Sequence, residues 1–482
     1  GWAGGAVFYH IFPERFADGD PANDPPGTRP WRQERPRSDA FYGGDLKGIL
    51  QRLDHIKALG VDAIYLNPIF RSPSNHKYDT ADYYAVDPHF GTIGDFKELV
   101  AACHASGIRV VLDAVFNHCG SEFFAFKDVL EKGADSKYAG WFYLREFPVR
   151  TRPEPNYETF ANGVWTMPKL RTENPEVREY LLGVARYWIE ECDIDGWRLD
   201  VANEVDHAFW RDLRKVVRKA KPDCYIVGEV WHRALPWLLG DQFDGVMNYP
   251  VRDACVAFFA ERTADALAFD RQLTRVRMAY PEPVNQASWN LLGSHDTARF
   301  LTLCNGETRR AALAAVFLMT YVGAPVIYYG DEVGMGGETD PDCRRPMIWD
   351  PKQQNRELLA LYRRLGEIRK SLPCLRTGAF RTLLADPVRN VYAYWRGDAH
   401  GDVIVALNNS DLAQELAIGL SPLAAFDEGF EAGPKQGESM RRWIDLLTGE
   451  AYPSAAEKSL RLALPPLGAA VFHRTRGRPE DA

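Results

Sequence analysis

A chain of 482 residues is too long for one ordinary domain, and a hydrophobic share of 46% supplies a large core plus an accessory unit. A formal charge of -8 argues against nucleic acid as a partner, and no apolar run reaches the roughly 20 residues of a membrane helix. The cysteines, Cys103, Cys119, Cys192, Cys224, Cys255, Cys304, Cys343 and Cys374, form no C-x-x-C pair. They predict free thiols in a reducing, cytoplasmic setting; a secreted form that has shed a signal peptide is the alternative.

From the N-terminus onward, short β-rich runs alternate with amphipathic stretches, the pattern of repeated βα units. Strands are predicted at residues 6–13, 63–70, 109–116, 196–202, 225–230, 244–250, 290–296 and 325–332, with helices at 46–59, 95–106, 175–192, 207–220 and 307–321. Eight such strands predict an α/β fold, a (β/α)8 TIM barrel. The connection 117–165 is too long for a simple βα loop, so a subdomain over 118–165 is inserted after strand 3, between barrel segments 1–117 and 166–383. Beyond residue 383, strands and turns alternate at 391–396, 403–408 and 461–472, which predicts a C-terminal antiparallel β-sandwich domain over 384–482. The charged tail 474–482 is expected to fray.

Functional groups of such a barrel gather at the C-terminal ends of its strands. Asp113, Asn117 and His118 close the third predicted strand, Arg198 and Asp200 lie on the fourth, and Glu229 ends the fifth. His295 and Asp296 end the seventh, Asp331 and Glu332 the eighth. A single carboxylate there is commonly a helix N-cap, and a buried ion-pair network is the alternative for the set. Retaining glycoside hydrolysis requires a carboxylate nucleophile and a protonated carboxyl about 5 Å away, which Asp200 and Glu229 supply from adjacent strands. Arg198 points to the same side as Asp200 and holds it ionised. Asp296 would face the positive charge developing on a sugar ring, with His118 and His295 bonding its hydroxyls.

The segments DAVFNH (113–118), GWRLD (196–200), GEVWH (228–232) and GSHDTAR (293–299) resemble, in order, the four signature regions of the α-amylase family. The resemblance covers nearly the whole chain, and implies Asp200 as nucleophile, Glu229 as acid/base and Asp296 as transition-state stabiliser. MPKL (167–170), VFNHCG (115–120) and ANEV (202–205) resemble the cyclomaltodextrinase, neopullulanase and maltogenic amylase branch. That branch implies hydrolysis of α-1,4 bonds in cyclodextrins, maltooligosaccharides, starch and pullulan, giving mainly maltose, or panose from pullulan, with some transglycosylation. A transglycosidase or α-1,6-acting glucosidase of the same family is the alternative. A glucan-binding relative without chemistry is a further one, against which the presence of all three acids counts.

Tyr78 resembles the residue stacked under the sugar beside the cleaved bond, with a core tyrosine as the alternative. Trp231 and His232 are expected on the acceptor side, Arg344 or Arg345 at a more distant subsite, and Glu332 against a bound sugar, unless these are ordinary loop charges and caps. Most members of the branch open with a β-sandwich exchanged between subunits, whereas the first predicted strand here begins near Ala6. A trimmed or naturally short form is therefore expected, a monomer or weak homo-oligomer with a more open cleft. The loop DGDPAND (18–24), with GGD (43–45), resembles the calcium site of this branch. It implies a structural Ca2+ held by Asp18, Asp20, Asn23, Asp24, Asp45 and the Gly43 carbonyl, the oxygen donors this ion prefers. Ordinary turn chemistry is the alternative reading of the same residues.

Overall fold

The computed structural model describes residues 1–399, 401–420, 442–452 and 459–475. Eight parallel strands form one sheet: β1 (Phe8–Ile11), β2 (Ala63–Leu66), β3 (Arg109–Ala114), β4 (Gly196–Leu199), β5 (Tyr225–Gly228), β6 (Gly245–Val246), β7 (Trp289–Leu291) and β8 (Ala324–Tyr328). Their order is β6-β5-β4-β3-β2-β1-β8-β7, and a parallel bridge from Met247 to Trp289 joins the two ends. The sheet is thus a closed barrel. All eight predicted strands exist, but several are shorter than expected. Pro250 lies in the first turn of a helix, Tyr249–Cys255, so β6 stops at Val246.

The period-2 alternation of each strand divides it between two cores. Phe8, Ala63, Tyr65, Val111, Val227 and Trp289 pack together inside the barrel. Their neighbours Tyr9, Ile64, Val110, Leu112, Trp197 and Ile226 face the helical shell. Helices form at Pro175–Cys192 and His207–Ala220 as predicted, whereas the expected helix 46–59 breaks at Arg52 into Leu46–Gln51 and Leu53–Ala58. At the N-terminal face, Asp62, Asp195 and Asp244 precede β2, β4 and β6. Each accepts a backbone N–H near the start of the preceding strand, from Val7 at 2.8 Å, Val110 at 2.9 Å and Ile226 at 2.9 Å. Those three bonds fix the register from below, leaving the upper rim for chemistry.

After β3 the chain leaves the barrel, forms the helix Phe124–Lys132, and returns through bridges from Phe142 to Leu170 and from His118 to Lys169. The C-terminal unit is antiparallel. Its strands are β9 (Ala379–Asp386), β10 (Val391–Gly397), β11 (Gly401–Asn408), β12 (Gln414–Gly419), β13 (Trp443–Asp445), β14 (Ala451–Tyr452), β15 (Ser459–Leu464) and β16 (Ala469–Thr475). The first begins at Ala379, ahead of the pattern change expected at 384. The predicted strand 461–472 is two strands, β15 and β16. Six strands form a sheet in the order β9-β10-β11-β16-β13-β14, and β12 pairs with β15 in a second layer. One face of the six-stranded sheet joins the barrel core through Tyr392, Tyr394, Val403 and Val405; the other packs Trp395, Ile404 and Phe472 on Leu416 and Leu462 of the second layer. Arg474, expected in a frayed tail, lies in β16 and pairs with Asp402 at 2.8 Å; 476–482 lie outside the described residues.

Two buried arginines join barrel and β domain where the helix Thr308–Thr320 ends. Arg369 donates to the carbonyls of Gly5, Met319, Tyr321 and Gly323, and Arg396 to those of Thr320 and Gly378. Carbonyls at a helix C-terminus carry the negative end of its dipole, which takes the place of a carboxylate partner. Arg369→Met should strand these acceptors in an apolar wall and cost about 3 kcal/mol. Thermal scans should show the loss; a midpoint equal to that of the wild type would mean the carbonyls find other donors. Among the described residues all eight cysteines are free and buried, and no helix is long and apolar enough to cross a membrane.

Candidate active site

The inward parity of the strands runs on past their ends into the rim. Val111 leads to Asp113, Arg198 to Asp200, and Val227 to Glu229, so all the acids continue the barrel's inner face. At the centre lies Arg198, fully buried. Its Nη1 contacts Asp113 at 2.9 Å and Asp200 Oδ1 at 2.7 Å, while Nη2 lies 2.9 Å from Glu229 Oε2. The last contact is an ion pair off the hydrogen-bonding direction, since Nη2 makes no aligned bond. Three carboxylates thus surround one cation. Burial, with the charges of Glu229 and Asp113, pushes Asp200 well above the usual carboxylate range against the pull of Arg198. Asp113 is raised by the same burial.

Val201 follows Asp200 with φ +45, a left-handed conformation that costs a β-branched residue about 1–3 kcal/mol. The turn aims the Val201 N–H at Glu229 Oε2, 3.0 Å away. Glu229 Oε1 accepts from the Trp231 indole at 2.8 Å, and that indole, 46% exposed, lies flat on Tyr249 with ring centres 3.8 Å apart. Across the rim, Asp296 is held by His295 Nε2 at 3.1 Å and Arg344 Nη2 at 3.3 Å. Tyr78 lies parallel to His295 and donates its hydroxyl to Asp113 at 2.7 Å. The loop bearing it is anchored by buried Lys77, whose Nζ meets Asp87 at 3.1 Å.

These groups enclose a cleft of about 480 Å³, within the roughly 300–1,000 Å³ of small-ligand sites. Of the residues predicted from sequence, Asp200, Glu229, Asp296, Tyr78, His118, His295, Trp231 and His232 line it, with Arg198 buried beneath. His118 shows the cleft a ring whose Nε2 is already bonded to the Tyr78 carbonyl at 3.1 Å, and burial pushes its pKa down to about 3.

Two predicted residues are not brought there. Gly330, at φ +92, turns the chain back after β8, so Glu332 is fully buried against Tyr9 at 2.6 Å and His55 at 2.8 Å. Arg345 forks onto Asp342 at 2.9 Å, and its neighbour Arg344 faces the cleft, bonded to Asp340 at 3.1 Å. His76, Phe160, Val201 and Asp340 also line the cavity although no sequence motif singles them out, and Met167, Asn203 and Glu204 are legible only as parts of motifs.

The loop expected to hold calcium lies beyond this cleft. Burial and the charges of Asp24 and Asp45 push Asp18 up to about 6, and Asp24 is raised by burial and Asp45. The Asn23 amide donates to Asp45 at 2.9 Å, which turns its Oδ1 away; that oxygen and Asp24 Oδ1 are buried without a hydrogen-bond partner. Asp24 lies where a Cβ on Gly43 would stand, so only glycine, at φ +86, fits there. Orphaned oxygens in a cluster of negative charge suit a hard cation. Asp45 and Asp20 are less free. Asp45 accepts from Gly19, Asp20, Asn23 and Gly48, capping the helix Leu46–Gln51, while Asp20 pairs with Lys47 at 2.9 Å. Among the described residues no three His, Cys, Asp or Glu side chains converge as a metal centre, so Asn23 and the Gly43 carbonyl would have to complete the set.

Comparison with known proteins matches what the geometry builds. The model of the alpha amylase catalytic domain fits residues 10–378, and that of the alpha amylase C-terminal all-beta domain fits residues 384–475. Neopullulanase 2 of Thermoactinomyces vulgaris is 54% identical over 466 residues, 96% of this chain and 77% of that protein. A cyclomaltodextrinase of Geobacillus thermopakistaniensis is 51% identical over 472 residues, 98% of this chain and 77% of that one. The ligand-free cyclic alpha-maltosyl-(1→6)-maltose hydrolase of Arthrobacter globiformis superposes with a TM-score of 0.88 at 40% identity, covering 98% of this chain and 99% of that chain. With both family models matched in order along a closed barrel and its β domain, the chain belongs to the α-amylase family of glycoside hydrolases.

Proposed function

We propose that the protein cleaves α-1,4 glucosidic bonds in cyclodextrins, maltooligosaccharides, starch and pullulan with retention of anomeric configuration. The observation that carries this reading is the single guanidinium of Arg198 joined to both Asp200 and Glu229. Carboxylates that share one guanidinium are held close together, as retention asks of a nucleophile and an acid about 5 Å apart. Asp200 attacks the anomeric carbon as the bond to the leaving oxygen breaks, and Glu229 gives that oxygen its proton. Water then enters, Glu229 takes a proton from it, and the Asp200 ester is released. Asp296 faces the ring while positive charge develops on it. The flat, half-exposed Trp231 beside Glu229 offers the departing sugar a surface, and offers an incoming sugar the same surface for transfer.

The substrate class follows from the relatives, a neopullulanase and a cyclomaltodextrinase. Chromatography of products from β-cyclodextrin, soluble starch and pullulan tests it. Maltose from the first two and panose from pullulan are expected; maltotriose alone from pullulan would mean that only α-1,6 bonds are cut.

The same reading extends to a structural calcium ion held by Asp18, Asn23, Asp24 and the Gly43 carbonyl, with Asp20 and Asp45 framing the loop. The ion would neutralise the crowded carboxylates and tie the loop to the first helix. A ligand at about 1,000 times its dissociation constant stabilises by about 4 kcal/mol, so chelation should lower the thermal midpoint. In Asp24→Ala that response should vanish. A midpoint indifferent to calcium in both proteins would reject the site.

A further inference from the structure

Beneath the cleft runs a hydrogen-bonded chain whose first members do not line the cavity. His10, on β1, and Asn67, just past β2, are each 1% exposed. His10 Nε2 lies 2.8 Å from Asn67 Oδ1. Asn67 Nδ2 lies 2.9 Å from the Tyr78 hydroxyl and 3.2 Å from His295 Nδ1. His295 Nε2 in turn lies 2.9 Å from that hydroxyl and 3.1 Å from Asp296 Oδ2.

One placement of hydrogens fits these contacts. Burial pushes both imidazoles well below their ordinary values, so each carries a single ring hydrogen. With the Asn67 amide reversed, its Oδ1 would draw the hydrogen of His295 to Nδ1. The bare Nε2 would then oppose a carboxylate 3.1 Å away. With Nδ2 toward His295, Nδ1 accepts, and Nε2–H donates to the Tyr78 hydroxyl at 2.9 Å while facing Asp296 at 3.1 Å. This orientation leaves Asn67 Oδ1 facing His10, which must hold its own hydrogen on Nε2. The Tyr78 hydroxyl agrees, because it accepts from Asn67 and spends its proton on Asp113.

We propose that His10 and Asn67 are positioning residues that fix His295 as its Nε2–H tautomer, setting one neutral donor between the Tyr78 hydroxyl, Asp296 and the sugar hydroxyl beside it. A neutral donor orients the carboxylate without cancelling its charge. An imidazolium would hold it as well but would weaken the field that the developing positive ring requires. The inference rests on the reading of Asp296 as the transition-state stabiliser.

The competing role is packing, since the His10 ring lies 4.5 Å from that of Tyr65 and 4.9 Å from that of Tyr328. His10→Leu and His10→Gln both lose the ring, but only glutamine restores a donor to Asn67. Maltotriose hydrolysis should show kcat reduced about tenfold in His10→Leu with KM little changed, and most of the loss recovered in His10→Gln. Ring nitrogen-15 spectra of histidine-labelled enzyme should report His295 as Nε2–H in the wild type and His10→Gln, and altered in His10→Leu. Asn67→Asp, close in shape, carries the same test if leucine unfolds the protein, because an acceptor facing Nδ1 draws the hydrogen there. Equal losses in the two His10 variants with an unchanged tautomer would overturn the proposal. Full activity in Asp296→Asn would instead overturn the reading of Asp296, while the spectra would still decide what positions His295.

Discussion

Glu229→Gln should lower kcat on starch and cyclodextrins by about 10²–10⁴-fold with little change in KM. Glutamine keeps the shape and its single amide oxygen can still accept from either the Val201 N–H or the Trp231 indole, the two bonds that seat Glu229. It cannot give a proton to the leaving oxygen. The loss should therefore depend on the leaving group. The 4-nitrophenolate of a 4-nitrophenyl maltoside departs without protonation, so Asp200 would still form its ester, and the slow step would become attack by water that no base activates. A burst of nitrophenol followed by slow turnover is expected, with azide speeding the slow phase because this anion needs no base. Equal losses on natural and activated substrates would assign Glu229 to binding instead.

The candidate site was legible because its residues sit in short segments whose strand parity is visible in sequence: Asp113 and Glu229 stand two places beyond the barrel-interior Val111 and Val227, and Asp200 two places beyond Arg198. The same parity reaches His10 from Phe8 and Asn67 from Tyr65, yet isolated polar residues in a strand form no motif, and both passed unnoticed. Spacing failed where the backbone turns. Nothing in Tyr-Tyr-Gly-Asp-Glu reveals that Gly330 adopts φ +92 and sends Glu332 into the wall. Of adjacent Arg344 and Arg345, only one can face the cleft, and the choice depends on Asp296, Asp340 and Asp342. The break at Arg52 and the early start of the β domain at Ala379 reflect packing between elements, which no local pattern records.

Arg198→Met should damage the protein more than loss of any one carboxylate, and the damage should grow with pH. The guanidinium is the cation that Asp113, Asp200 and Glu229 share, at 2.9, 2.7 and 2.9 Å. Removing it leaves three buried acids around an apolar side chain, a loss of about 3–5 kcal/mol when they are ionised. Burial already raises Asp113 and Asp200 above their unfolded values, with Arg198 the largest opposing influence. A carboxyl with a raised folded pKa binds its proton more tightly in the native state, so its stabilisation is present in acid and disappears as pH rises through the folded value. Without Arg198 both rise further. Thermal midpoints of variant and wild type should therefore lie closest near about pH 4, the ordinary carboxylate range, and diverge toward about pH 8. Activity should fall by at least about 10³-fold throughout, because a protonated Asp200 cannot attack. Arg198→Lys should recover little, since an ammonium is a single point of charge and cannot span two carboxylates as a planar fork does. Parallel stability curves would show that the acids find protons or water without it, and that Arg198 orients Asp200 rather than holding the cluster together.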